Sequence, residues 1–249
     1  MKRALRLAAS AIWTGIAGSL TLMGGLLRPF SRRLSLRVGS LAGQLWGKGL
    51  CVILGIRVEI RGALPLPGTV VVANHWSWLD IPVLFSAFPG CFISKHEIAG
   101  WFGFGILAKG GGTLFVVRSK RSGARRTVQD MEKWLEAGTR VVFFPEGRAW
   151  NGLEILPFKS TLFRAPVDLQ ASCVPVGLAY DSRKAAWDDG STFAKHFSAF
   201  AASSGCNAFV TVGEPIPSGA DRKELAATLR GKVATLSGLP EASNSGPET

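Results

Sequence analysis

The chain has 249 residues, 47% of them apolar, and its 29 Lys or Arg against 17 Asp or Glu give a formal net charge of +12. That length builds one sizeable α/β domain or two small ones, and the charge selects anionic partners: an anionic membrane, an acidic protein or nucleic acid. The four cysteines, Cys51, Cys91, Cys173 and Cys206, stand too far apart for a C-x-x-C pair or a zinc cluster, so they read as reduced, mostly buried thiols of a cytosolic compartment.

The charge is unevenly placed. Lys2, Arg3, Arg6, Arg28, Arg32, Arg33 and Arg37 fall within residues 1–40, which hold no acid. They flank a stretch from Leu7 to Leu27 with no charged residue, about long enough to cross a hydrocarbon core. Its Ala, Gly, Ser and Thr content keeps it only moderately hydrophobic. A spanning helix, an in-plane anchor and a cleaved signal peptide all fit; a retained anchor fits best, because more basic residues follow and no clear cleavage site ends the stretch. Trp13 and Trp46 suit interfacial anchoring. Residues 34–54 read as a second helix.

From there the pattern interleaves strands and helices. Strands are expected at 57–62, in the apolar run "GTVVVAN", at 91–94 and at 113–117. A helix follows in "SGARRTVQDMEKWLEAG", with Ser122 as its cap and Gly138 as its stop. Further strands are expected at 139–144, in "SCVPVGLAY" and at 207–213, then a helix at 221–236. The tail, 237–249, is polar and reads as disordered. The result is an α/β fold, a mixed and mostly buried β-sheet flanked by helices, with an N-terminal helical membrane anchor. The division is 1–54 membrane-associated, 55–236 the α/β domain, 237–249 tail.

The strand ending at Ala73 delivers Asn74 and His75 into a loop, with Ser77 and Asp80 close behind. A carboxylate bonded to one imidazole nitrogen fixes the tautomer and leaves the other nitrogen as a base. Asp80 reaches the ring if the chain turns into a helix after His75. Alone, the pattern more often marks an ordinary loop histidine. Three further segments bear on it. "GGTLFVVRSKR" ends a strand on Arg118, which suits a phosphate. "VVFFPEGR" stops a buried strand at Pro145 and sets Glu146, Gly147 and Arg148 at its end, with Lys159 able to reach the same anionic group. "CVPVGL" puts Pro175 in or beside a strand, which suits an edge, a bulge or a pocket wall.

Together these segments resemble the glycerolipid acyltransferases typified by 1-acylglycerol-3-phosphate O-acyltransferase. Four blocks stand in the family's order: N-H-x4-D from Asn74 to Asp80, G-x-x-F-x-x-R from Gly112 to Arg118, F-P-E-G from Phe144 to Gly147, and V-P-V from Val174 to Val176. The resemblance covers roughly residues 55–235. It implies a membrane enzyme, with its catalytic domain on the cytoplasmic side, that acylates a lysolipid from acyl-CoA or acyl-carrier protein without metal or cofactor. His75, oriented by Asp80, would be the general base. Asn74, Arg118, Glu146, Gly147, Arg148, Lys159 and Pro175 would form the acceptor site, with Arg118 on the phosphate. After F-P-E-G the family often has Thr or Ser and then Arg; here Arg148, Ala149 and Trp150 follow. That stretch is similar to the branch that includes lyso-ornithine lipid acyltransferases, whose acceptor headgroup has no phosphate.

Other readings are weaker. "GFGILA" at 103–108 mimics a dinucleotide-binding loop, but Arg125 and Arg126 stand where an acid is needed. No G-x-S-x-G elbow is present, against an α/β-hydrolase. A thioesterase would not need the Arg118 and Glu146 blocks. "RSKRSGARR" lacks interleaved aromatics, so nucleic acid is not an expected partner. A non-catalytic membrane scaffold requires His75 to be dispensable. His96 and His196 have no comparable acid and read as structural or surface residues.

Overall fold

A computed structural model describes residues 1–95, 108, 113–116, 121–187 and 190–243. It opens with a helical hairpin, α1 (Lys2–Leu26) and α2 (Arg32–Leu54). The Ser31 hydroxyl starts α2 by accepting the Leu34 N–H at 3.2 Å, filling one of the donors a helix start leaves open. There follow β1 (Ile56–Arg61), β2 (Val70–Ala73), α3 (Asp80–Ala87), β3 (Cys91–Lys95) and β4 (Leu114–Val116). Then come α4 (Arg121–Glu136), β5 (Val141–Phe143), a 3-10 turn running into α5 (Arg164–Leu169), and β6 (Cys173–Tyr180). The chain closes with α6 (Phe193–Ala202), β7 (Cys206–Val212) and α7 (Arg222–Ser237).

The strands form one seven-stranded sheet in the order β1-β7-β6-β2-β5-β3-β4. Only β6 and β7 pair antiparallel; every other neighbour is parallel. The sheet is therefore mixed, as expected, and β2, β5 and β6 all end on one edge. All four residues of β2 are buried. Its side chains alternate between two cores: Val71 and Ala73 join Leu84 of α3 and Phe88, which follows it, while Val70 and Val72 join Met131 and Trp134 of α4 and Leu229 of α7. A strand covered on both faces has no polar side, which is why "VVVA" shows no alternation in sequence. Each fully buried valine contributes about 1.5–3 kcal/mol.

Several expectations need correction. Ser122 lies within the first turn of α4, not ahead of it. The start of the tail is ordered. Ile155 N–H donates to Pro240 O at 2.8 Å, and Ala242 N–H donates to Ile155 O at 2.9 Å. The physical cause is Arg230: its buried guanidinium needs acceptors and finds the carbonyls of Ile155 and Ala242 and the carboxylate of Glu241. Trp13 and Trp46 do not present free indoles to an interface. Trp13 Nε1 donates to Trp46 O at 3.0 Å, and Trp46 Nε1 donates to Thr14 Oγ1 at 3.1 Å, so the pair ties α1 to α2.

Candidate active site

His75 follows the end of β2, where the ends of β5 and β6 also converge. Ligands in parallel α/β sheets bind at such an edge. Five residues later α3 begins, and Asp80 is its first residue, where the positive end of the helix dipole favours a carboxylate. Asp80 is fully buried. Its Oδ2 lies 2.7 Å from His75 Nδ1 and accepts the N–H groups of Trp76 at 2.7 Å and Ser77 at 3.0 Å. Its Oδ1 accepts the Tyr180 hydroxyl at 2.7 Å. Asp80 is thus an acceptor on every side, as an ionised carboxylate must be. The proton of that contact therefore sits on His75 Nδ1, which leaves Nε2 with its lone pair. Nε2 has no hydrogen-bond partner among the described residues, and the ring keeps 17% of its surface exposed.

A second set of bonds fixes the His75 backbone. Its N–H donates to Glu146 Oε1 at 2.7 Å, and its carbonyl accepts the Trp150 N–H at 3.0 Å. Glu146 Oε2 accepts the Leu156 N–H at 3.0 Å. The ring stacks on Phe144, with centroids 4.1 Å apart and planes 8° from parallel. Glu146 is buried, and desolvation pushes its carboxyl up to about 8, against the downward pull of its two N–H donors. Asn74 bridges β2 to β6: its Nδ2 donates to Leu178 O at 2.9 Å, and its Oδ1 accepts the Leu178 N–H at 2.7 Å. The polar atoms of Asn74 and Glu146 are engaged with backbone, so these residues shape the loop that carries His75.

The remaining candidates divide. The Arg148 guanidinium lies 4.2 Å over the Trp150 ring, beside the His75 loop. Gly147 turns the chain at φ 81°, a left-handed conformation that favours glycine. Lys159 is exposed, and its backbone N–H donates to Pro145 O at 3.0 Å, closing the loop beneath Glu146. Pro175 is in an interior strand, not at an edge. It pairs with Val72 and accepts the Gly213 N–H at 2.9 Å on the side where β7 has already ended, so its missing N–H costs no ladder bond. It is buried, two residues before the Asn74–Leu178 bridge along the β2–β6 pair. Arg118 and Gly112 lie outside the described residues, as do His96 and most of "GFGILA". Burial pushes the thiols of Cys91, Cys173 and Cys206 up to about 12, so none of these three supplies a thiolate near neutral pH.

The acyltransferase family model matches residues 55–179, half of the chain, and that span includes His75, Asp80, Glu146 and Pro175. The chain belongs to the acyltransferase family. It is 39% identical over 136 residues to a 1-acyl-sn-glycerol-3-phosphate acyltransferase of Neisseria gonorrhoeae; the match covers 54% of this chain and 53% of that protein. This chain thus spans about half the length of that curated relative. It is 30% identical over 223 residues to a lyso-ornithine lipid O-acyltransferase of Pseudomonas aeruginosa, covering 87% of this chain and 82% of the relative. Among solved structures it is similar in fold to the 1-acyl-sn-glycerophosphate acyltransferase PlsC of Thermotoga maritima. The TM-score is 0.64 and the identity 20%, over 95% of this chain and 98% of that one.

Tyr180 and Trp150 join the site without a sequence motif that marks them, and Phe144 of the F-P-E-G block stacks on the His75 ring. Tyr180 is the chain's single tyrosine, set at the end of an otherwise apolar strand; that lone hydroxyl was the available signal. Trp76 and Trp78, which flank Ser77 beside His75, turn inward. Trp76 is buried against Tyr180, and Trp78 donates its indole N–H to His196 Nδ1 at 2.9 Å. His196 Nε2 meets Ala186 O at 2.8 Å, so His196 is a structural residue.

Proposed function

We propose that this acyltransferase moves a fatty acyl group from an acyl thioester, acyl-CoA or acyl-carrier protein, to the hydroxyl of a lysolipid, with 1-acylglycerol-3-phosphate the main acceptor. The observation that carries the reading is the His75–Asp80 contact at 2.7 Å with Nε2 left as a lone pair. His75 Nε2 takes the proton of the acceptor hydroxyl as the oxygen attacks the thioester carbonyl carbon. The new C–O bond forms and the tetrahedral intermediate collapses. The C–S bond breaks, and the imidazolium returns its proton to the leaving thiolate. Asp80 stabilises the imidazolium between these steps. Arg118 takes the acceptor phosphate, and Arg148 stands beside His75 for the headgroup.

The site works at a membrane surface in this proposal, with the α/β domain on the cytoplasmic side. The α1–α2 hairpin exposes Leu5, Ile12, Ile16, Met23, Leu26 and Phe30, and α1 is long and apolar enough to cross a bilayer by length and composition. An in-plane arrangement is favoured over a crossing, because Arg6 Nη1 donates to Ser203 O at 2.8 Å and holds the start of α1 on the α/β domain.

A lyso-ornithine lipid acceptor is the second reading. It is favoured by the Pseudomonas relative's coverage and by Arg148, which replaces the Thr or Ser of the commoner pattern. The test is acyl transfer by the purified protein in detergent, with acyl-CoA and acyl-carrier protein each offered against lysophosphatidate and lyso-ornithine lipid. Product from lysophosphatidate, absent in His75→Ala, is expected. Product from lyso-ornithine lipid alone reassigns the acceptor, and full activity of His75→Ala sinks the mechanism.

A further inference from the structure

At the edge of the sheet opposite His75 the molecule holds a second concavity. Pro67 precedes β2, Pro89 precedes β3 and Arg140 precedes β5, and all three line a pocket of about 370 Å³ closed by Arg33, Arg37 and Leu41 of α2. The domain and the helical hairpin therefore meet around it. Arg33 and Arg37 are exposed, and neither is paired with a carboxylate among the described residues. Arg140 donates Nε to Pro65 O at 2.6 Å and Nη1 to Pro89 O at 3.3 Å, which uses two of the five N–H groups a guanidinium offers.

This concentration of charge is unfavourable as it stands. Arg33 and Arg37 occupy the first two turns of α2, and the first turn contains no acid. The positive pole of a helix dipole disfavours cations there. Burial lowers the Arg140 pKa, and no carboxylate pairs with it among the described residues. An anion seated between the three guanidinium groups would relieve all of these terms at once, and guanidinium forks match phosphate oxygens. The surroundings narrow the source of that anion. Leu41 and Leu66, beside the pocket, are exposed, and α2 belongs to the hairpin with the uncovered apolar face. Basic pockets next to membrane helices suit lipid headgroups.

We propose that this pocket binds the phosphate of an anionic glycerolipid headgroup, distinct from the acyltransfer site, with Arg33, Arg37 and Arg140 as its cationic wall. Leu41 and Leu66 lie along the start of the lipid's acyl chains. Occupancy fixes the hairpin and the domain together on an anionic membrane.

The test uses the full chain in neutral detergent and monomeric dihexanoyl phosphatidylglycerol below its micelle concentration, so that no charged surface contributes. Calorimetric binding should be saturable, and weakened at least tenfold in the Arg33→Gln/Arg37→Gln variant. It should change less than twofold in Lys2→Gln/Arg3→Gln, which removes the same charge from the other end of the hairpin. Dihexanoyl phosphatidylcholine should bind far more weakly than phosphatidylglycerol. Inorganic phosphate binding as tightly as phosphatidylglycerol overturns the lipid assignment and leaves a free-anion site. Equal loss in both double variants, or no saturable binding, overturns the pocket. Acyl transfer in detergent, expected unchanged in Arg33→Gln/Arg37→Gln, reports an intact fold and keeps this outcome separate from the fate of the catalytic proposal.

Discussion

Asp80→Asn is the sharpest perturbation of the proposed chemistry, because the surroundings dictate how the amide must sit. Asp80 Oδ2 receives three N–H groups, from His75, Trp76 and Ser77, while Oδ1 receives the Tyr180 hydroxyl alone. The asparagine oxygen has to take the Oδ2 position, since an NH2 there would face three donors. The NH2 then meets Tyr180, whose hydroxyl rotates to accept. Every hydrogen bond survives, so the fold should survive as well, within about 1 kcal/mol. What is lost is the charge. The bond that supports the imidazolium becomes neutral, and hydrogen bonds to charged groups are worth about 1.5–3 kcal/mol. At about 1.36 kcal/mol per tenfold, kcat should fall roughly 10- to 150-fold, well short of the loss in His75→Ala. Initial rates of acyl transfer in detergent, with circular dichroism and thermal melting as folding controls, decide it. A folded Asp80→Asn protein within threefold of the wild-type kcat would refute an electrostatic role for Asp80.

Asn74→Ala removes both bonds of the β2–β6 bridge and leaves the Leu178 N–H and carbonyl buried without partners; it should cost about 2–5 kcal/mol in denaturant unfolding, and a cost under about 1 kcal/mol contradicts the bridging role. Burial raises the folded pKa of Glu146 to about 8, above its ordinary 4.5; the folded state therefore holds this proton more tightly than the unfolded one, and the contribution present at acid pH is lost as pH rises from about 4.5 through 8. Glu146→Gln should flatten that decline in denaturation midpoints measured from pH 4 to 9, and parallel slopes would disprove it. Gly152→Ala would place a Cβ 2.3 Å from Trp76 Cε3 at φ 68°; overpacking of this kind costs about 1–3 kcal/mol and should also lower kcat, because Trp76 adjoins His75. Arg148→Lys keeps the charge but loses the planar stack on Trp150, which is worth about 0.5–2 kcal/mol; acceptor KM should rise roughly 3- to 30-fold with little change in kcat, and an unchanged KM removes Arg148 from headgroup binding.

The part of the site that is local in sequence was legible. A run of valines buried on both faces marks β2, and His75 and Asp80 are close enough in sequence for one turn to join them. What escaped was long-range. Tyr180 reaches Asp80 only because β6 lies beside β2, and no local pattern states that pairing. The same pairing turns Asn74 from a polar residue beside a base into a bridge. The eight-residue α3 is the turn into a helix that the reach of Asp80 requires, and Pro82 is tolerated in its first turn, where no intrahelical bond is forfeited. The tail looked disordered from composition alone; its order comes from backbone groups and from the needs of Arg230, which lies in α7.

The two acids of the site both bond to His75, and they differ in target. Asp80 bonds to the ring of His75, so it governs the tautomer and, in the proposed mechanism, the charge of the base. Glu146 bonds to the backbone N–H of the same residue, so it governs where the base stands. Trp150 holds the opposite side of that peptide and also carries Arg148 on its ring. One loop, 146–150, therefore sets the position of the base and of the cation proposed for the headgroup. A change of acceptor within the family could be accommodated in this loop without disturbing the His75–Asp80 bond, since that bond depends on β2, α3 and β6. The departure from the commoner family pattern falls within it, at Arg148, while the residues that hold the proton chemistry stand unchanged.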